Sequence, residues 1–128
     1  MGETKVEVSE VIAGFLNYVD QVKAEYQAAH TAVGIEDKRL QDLLHALEFA
    51  ENENEKRRAG TKLLQSRKER RKQKDEVKRL RLMVEFWNEP ANKKTLNGLR
   101  QLLGRQRKEE EYLHSERIYK PRMEVSKN

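Results

Sequence analysis

The sequence predicts an all-α protein: an elongated antiparallel helical bundle or coiled coil of three to four helices, with a disordered or extended C-terminal tail. Three observations lead there. Apolar residues recur at steps of three and four along most of the 128-residue chain, the spacing of one face of a helix. No segment alternates apolar and polar residues as a half-buried strand does. Charged residues reach 38 %, the apolar set only 36 % and aromatics 6 %. Typical globular chains are about 25 % charged. Such a composition suits long helices with one apolar stripe each, not a large compact core.

Residues 1–8 read as a loose start. Ser9 is a candidate N-cap, since its hydroxyl can accept a backbone N–H bond. Ile12, Phe15, Val19, Val22, Tyr26, Ala29 and Val33 then follow steps of three and four, a heptad seam. Val11 and Leu16 widen it. Gly34 can take the left-handed conformation that ends a helix, with His30 in the last turn, so a first helix is expected at about 9–33. Gly34-Ile35-Glu36-Asp37 is a short connection. A second helix, at about 36–50, carries Leu40, Leu43, Leu44, Leu47 and Ala50 on one face. Glu51-Asn52-Glu53-Asn54-Glu55 holds no apolar residue, and Asn54 is the candidate N-cap of a third helix at about 54–88. One unbroken helix from 36 to 88 is the alternative. Gly60 weakens it, because an interior Gly costs about 1 kcal/mol relative to Ala.

The third helix has a seam of Ala59, Ser66, Gln73, Val77, Leu80, Val84 and Trp87. Its first half is small or polar and its second half apolar. Pro90 ends it, lacking an N–H and disfavouring a helical residue before it. A fourth helix, at about 91–114, places Leu96, Leu99, Leu103 and Leu113 at heptad spacing, with Leu102 beside them. Gln106 and Glu110 interrupt that stripe, and Gly98 and Gly104 weaken it. Residues 115–128 lack periodicity and form the tail; residues 1–114 are the single helical domain. Short connections predict antiparallel neighbours. The first and third helices, roughly 37 and 52 Å long, are too unequal to cover each other, so homodimerisation through an apolar seam is one way to complete the core.

Several function classes drop out. With no cysteine there is no disulfide framework, thiolate metal site or cysteine nucleophile. No stretch approaches the roughly 18 apolar residues of a membrane span. Met1-Gly2-Glu3-Thr4-Lys5 is not the start of a signal peptide. Val6 stands where a myristoylation signal wants Ser or Thr. His30, His45 and His114 have no partner His at i+3 or i+4, and His45 with Glu48 supplies only two ligands. Glu51, Glu53 and Glu55, like Glu109, Glu110 and Glu111, point in different directions on a helix. No phosphate loop, nucleophile elbow or metalloprotease motif is present. The reading is therefore a non-enzyme with no catalytic residue, metal, cofactor, membrane or small-molecule substrate.

The charge is unevenly placed. Residues 1–55 carry 4 basic and 12 acidic side chains, residues 56–81 carry 13 and 3, and residues 82–128 carry 10 and 7. Such asymmetry points to an anionic partner. The candidate contacts are Arg67, Lys68, Arg70, Arg71, Lys72, Lys74, Lys78, Arg79 and Arg81. At 100° per residue, Arg67, Arg71, Lys74, Lys78 and Arg81 fall within about 80° of arc. Lys68, Lys72 and Arg79 form a second strip beside them. This cationic wall suits the phosphate backbone of DNA or RNA. Residues 56–81 contain no aromatic, so base stacking by this segment is not expected and binding should be sequence-tolerant. The same wall could dock on an acidic protein surface, or be a solvated face paired with acids of the first half.

Two motif readings are weaker. Val77, Leu80, Val84 and Trp87 give a basic leucine zipper only about one and a half heptads before Pro90. Lys56-Arg57 followed by Lys68-Glu69-Arg70-Arg71-Lys72 fits a bipartite nuclear-localisation pattern that any basic helix can match. Phe86 and Trp87 next to Pro90 are either a plug at a helix corner or an exposed hot spot.

The order of features resembles small all-helical proteins encoded by phages and prophages of Gram-positive bacteria. The similar segments are Phe15-Leu16-Asn17-Tyr18-Val19, Arg67-Lys68-Glu69-Arg70-Arg71-Lys72 with Lys74-Asp75, Leu102-Leu103-Gly104 through Arg107-Lys108-Glu109-Glu110, and Arg117-Ile118-Tyr119-Lys120-Pro121-Arg122. That group has no assigned activity. The resemblance implies an accessory protein in the bacterial cytoplasm and transfers no site residue. The expected function is sequence-tolerant nucleic-acid binding; the alternatives are a modulator or inhibitor of a host or defence protein, and a structural spacer.

Overall fold

The computed structural model describes residues 5–116, with 121 and 123. Three helices and no strand form among them: α1 (Val8–Glu48), α2 (Glu53–Asn88) and α3 (Pro90–His114). Most of the expected tail at 115–128 lies outside the described residues. No helix among the described residues is long and apolar enough to cross a membrane.

The helix stop expected at Gly34 does not form. α1 runs for 41 residues through it, and no glycine among the described residues has a positive φ. The helices expected at 9–33 and 36–50 are one. The reason lies in the register: the three-and-four steps from Ile12 to Val33 continue through Glu36, Leu40 and Leu43 to Leu47. Carrying the helix on keeps those leucines facing α2, against an interior-glycine cost of about 1 kcal/mol.

The unbroken helix over 36–88 is also overturned, because residues 49–52 interrupt it. Phe49 donates its N–H back to the His45 carbonyl at 3.0 Å. The N-cap of α2 is Asn52 rather than Asn54. Its side chain accepts from the Glu55 N–H at 2.9 Å, while the Glu55 carboxylate accepts from the Glu51 N–H at 2.7 Å. This resembles a capping box, shifted by one residue on its return arm.

Ser9 does not cap α1. Glu7 is the N-cap residue and makes no side-chain cap bond. The cap comes instead from α3: Glu110 accepts the Ser9 N–H at 3.0 Å and the Ser9 hydroxyl on its other oxygen. Gln106 donates to the same carboxylate at 2.9 Å. The two residues that interrupt the α3 stripe thus satisfy an N–H in the first turn of α1 that has no partner within the helix.

One residue, Glu89 (φ −63°, ψ 137°), joins α2 to α3. Pro90 opens α3, where its missing N–H leaves nothing unsatisfied. Asn92 donates its side-chain N–H to the Phe86 carbonyl at 2.7 Å, closing the end of α2. This elbow does not reverse the chain. Along α2, Ser66 meets Glu36 and Arg79 meets Glu25. Along α3, Arg100 meets Asp20, Glu110 meets Ser9 and His114 meets Glu7. Both helices therefore run opposite to α1. The expected antiparallel packing of neighbours holds for α1 with α2 but not for α2 with α3, where a one-residue link is too short for a hairpin of helices.

The large buried residues gather where α3 meets the other two helices and in the adjoining stretch of the α1–α2 pair. Leu16, Val19 and Leu96 form one cluster with Ile12, Met83, Trp87, Leu99 and Leu103 against it. Val22, Leu80 and Val84 form the next, with Tyr26 and Met83. Phe15, expected in the seam, is 38 % exposed, whereas Leu16 is 5 % exposed. α3 packs on the Leu16 side and pulls the seam across. Leu113, also expected in a seam, is exposed, as Glu110 supplies the contact to α1 near that end.

Candidate nucleic-acid interface

Two ion pairs mark the two flanks of the α1–α2 pair. Asp37 with Arg70 (2.5 Å) lies on one, and Glu25 with Arg79 (3.7 Å) lies on the other. Steps of three and four assign the remaining residues to a flank. On the Arg70 side, α2 presents Arg67, Lys74, Lys78 and Arg81, with Arg71 further out toward solvent. On the Arg79 side it presents Lys68 and Lys72 with Glu69 and Glu76. The nine candidate cations are thus brought together on one helix but divided between two surfaces.

The two surfaces differ in charge. On the Arg79 flank, the Arg79 guanidinium donates to Glu76 from Nε at 3.0 Å and from Nη2 at 2.5 Å. Those bonds hold the Glu76 carboxyl below its usual range and the guanidinium above its own. Lys72 adds a weaker pull on the same carboxyl. An open groove between this side and the outer face of α2, where Arg71 lies, is lined by cations and acids alike: Lys68, Arg71, Lys72, Asp75, Glu76 and Arg79. The strip of Lys68, Lys72 and Arg79 is therefore a mixed-charge surface, which weakens its expected part in the wall.

The Arg70 flank keeps its positive charge. Arg70 is tied to Asp37, and Arg81 lies 3.9 Å from Glu85. Arg67, Arg71, Lys74 and Lys78 are exposed and have no ion-pair partner among the described residues. α1 adds Lys23, Tyr26 and His30 to this flank, on the stripe that leads to Asp37. Reading the α2 segment alone missed these three. Their signal was present in the sequence as Tyr26 and His30 four residues apart, with Lys23 one turn before, on the face that carries Asp37.

The remaining polar groups are accounted for locally. The Glu36 carboxylate, 4 % exposed, accepts from the Ser66 hydroxyl at 2.5 Å and from Arg39. His45 lies 3.9 Å from Glu48, and His114 lies 3.0 Å from Glu7. Among the described residues no three metal-ligating side chains converge. Near the hairpin tip, Arg57, Arg58 and Lys62 line an open groove with Asn54, Thr61 and Gln65. Of the Phe86–Trp87 pair, Trp87 alone is the expected plug. Trp87 packs on the Leu16 cluster with Phe15 edge-on at 5.7 Å, while Phe86 stays 50 % exposed. No family model, curated protein or solved structure matches this chain.

Proposed function

We propose that this protein is a non-enzymatic accessory protein, built as an elongated antiparallel coiled-coil bundle, that binds the phosphate backbone of nucleic acid on the Arg70 flank. The observation that carries this reading is the row of Arg67, Arg71, Lys74 and Lys78, exposed and without ion-pair partners among the described residues on one side of α2. Cations already paired within the fold would lose that pairing on binding phosphate; these four would not. Binding by such a row is sequence-tolerant and acts through counterion release. The resemblance to phage and prophage proteins adds the bacterial cytoplasm as its setting.

The test is the salt dependence of binding to duplex DNA. Changing Arg67, Arg71, Lys74 and Lys78 to Gln should make the slope of log K against log salt shallower by about three to four units. Changing Lys68, Lys72 and Arg79 to Gln should alter it less, because Arg79 is already paired with Glu76 and the acids Glu69 and Glu76 share that surface with the two lysines. Absence of wild-type binding at about 50 mM salt, where electrostatic binding is strong, rejects the reading.

A second reading rests on a different surface. Val8, Val11, Phe15 and Tyr18 on α1, and Phe86 at the end of α2, are all more than a third exposed. An apolar and aromatic surface of this kind suits a protein partner, consistent with a modulator or inhibitor of a host or defence protein. Phe86→Ser with Val11→Ser should abolish such an interaction without touching nucleic-acid binding. Light scattering separates a homodimer from another partner.

A further inference from the structure

We infer that Tyr26 and His30 form a stacking platform for unpaired bases, which makes the Arg70 flank a site for single-stranded nucleic acid. The inference rests on the phosphate-binding reading above and adds what the strand must present. α2 by itself offers no aromatic between residues 56 and 81. The fold supplies them from the other helix. With Asp37 beside Arg70 and the two helices antiparallel, successive turns bring Val33 level with Lys74, His30 with Val77 and Tyr26 with Arg81. The two rings therefore stand beside the cations.

The pair is also held. The Tyr26 side chain packs against the Val22, Leu80 and Val84 cluster. The His30 ring meets it edge-to-face, centroids 4.6 Å apart and planes at 85°. His30 is exposed, and no acid pairs with it among the described residues. A ring fixed by its neighbour and open on its outer side loses little freedom when a base stacks on it. Steps of four residues set Lys74 and Lys78 about 6 Å apart along the axis, a spacing that an extended single strand can follow with successive phosphates. A duplex keeps its bases inside its own stack, so it can use the cations but not the rings. A row of cations that follows the backbone, with stacking faces beside it, is the general arrangement for binding single strands without reading sequence.

The experiment compares the full-length wild type with His30→Ala, Tyr26→Leu and Tyr26→Phe, by fluorescence anisotropy at one salt concentration. The probes are labelled oligothymidine, oligouridine and a DNA duplex of equal length. His30→Ala and Tyr26→Leu should lower affinity for the single strands by roughly 5- to 150-fold, the range for losing a base–aromatic stack, and leave the duplex unchanged. Tyr26→Phe keeps the ring and should bind as the wild type does. The two single-strand probes distinguish DNA from RNA as the source of the bases. Because His30 is exposed, His30→Ala should stay folded, melting slightly lower for the lost ring contact, and remains a usable test if Tyr26→Leu is less stable. Equal loss on duplex and single strands, or no loss on single strands, overturns the stacking platform alone. Wild type that binds none of the probes overturns the phosphate-binding reading with it.

Discussion

The end of the molecule where α3 lies on α1 and the arm formed by α1 and α2 alone use one heptad seam to different effect. At the three-helix end the seam holds Leu16, Val19 and Leu96, and next to it, between α1 and α2, Val22, Leu80 and Val84, each 6 % exposed or less. In the arm its buried slots are Ala29 and Glu36 on α1, and Ala59 and Ser66 on α2. Fully burying a large aliphatic side chain is worth about 1.5–3 kcal/mol; an Ala contributes a fraction of that, and a Glu–Ser pair offsets mainly its own desolvation. Stability is therefore concentrated at one end. The arm is held by helix continuity and by its register, and segments with few buried apolar contacts open first. The unpaired cations begin in this weaker part, at Arg67, so a ligand that bridges to Lys78 would stabilise the arm by binding only its closed form.

The largest effect should come from Leu16→Asp. It places an unpartnered carboxylate among Val19, Leu96 and Trp87, and the loss of cooperative melting by circular dichroism is the expected result. Phe15→Asp is the control one residue away. Phe15 is 38 % exposed and contributes an edge-on contact with Trp87, of the kind worth about 0.5–1.5 kcal/mol beyond area burial, so that variant should melt lower but stay folded. The reverse order would show that the core does not turn toward α3.

A smaller and local effect is expected in the arm. Glu36→Ala leaves the Ser66 hydroxyl buried without its acceptor, a loss of about 1–3 kcal/mol. Amide exchange followed by mass spectrometry should speed up in the arm portions of α1 and α2. It should stay unchanged around Leu16 and Val84, which lie in the two apolar clusters. Replacing both partners, Glu36→Leu with Ser66→Ala, should be neutral or stabilising. Uniform acceleration across the chain after Glu36→Ala would mean that the arm and the three-helix end unfold as one unit.

The same pair explains what the sequence hides. The start of α2 and the junction of α2 with α3 were legible to within a residue or two, because Asn52, Glu55 and Pro90 act through local capping and proline chemistry. The continuity of α1 was not, because Gly34 imitates a helix stop and Glu36 puts a charge in an apolar slot. Only the partner helix, with Ser66 in the opposing slot, makes that charge acceptable. The cationic run was legible as composition, but its division into two flanks depends on which acids α1 brings up: Asp37 on one side, Glu25 on the other. The Tyr26–His30 ring pair meets α2, through Leu80 and Val84, only through the tertiary register.

Smaller again is the effect of filling helix glycines in the arm. Gly34 and Gly60 lie inside α1 and α2 without positive φ, and a Cβ built at either meets nothing within 4 Å. Gly34→Ala and Gly60→Ala should therefore each stabilise by up to about 1 kcal/mol. The gain should appear as slower amide exchange in the arm. Unchanged exchange there would show that helix propensity does not limit its opening.

The smallest expected effect lies at the opposite end, in the carboxylate that caps α1. Hydrogen bonds from Ser9 and then Gln106 hold the Glu110 carboxyl below its usual range, with a further pull from His114. A group whose pKa is lower in the folded state stabilises the fold fully at pH values above its unfolded pKa, about 4.3 for a Glu. That contribution fades as pH falls through the lower folded value, because the proton must be taken up by a group the fold prefers charged. Melting temperature followed from pH 7 downward should thus fall more steeply for the wild type than for Glu110→Gln, and the two curves should converge in acid. Ser9→Ala removes the hydroxyl bond while leaving the carboxylate and the backbone N–H in place, so its acid limb should lie between the two. Parallel curves for wild type and Glu110→Gln, offset equally at every pH, would mean that the cap contributes shape but no proton-linked stability, and that acid weakens both ends of the molecule through other carboxylates.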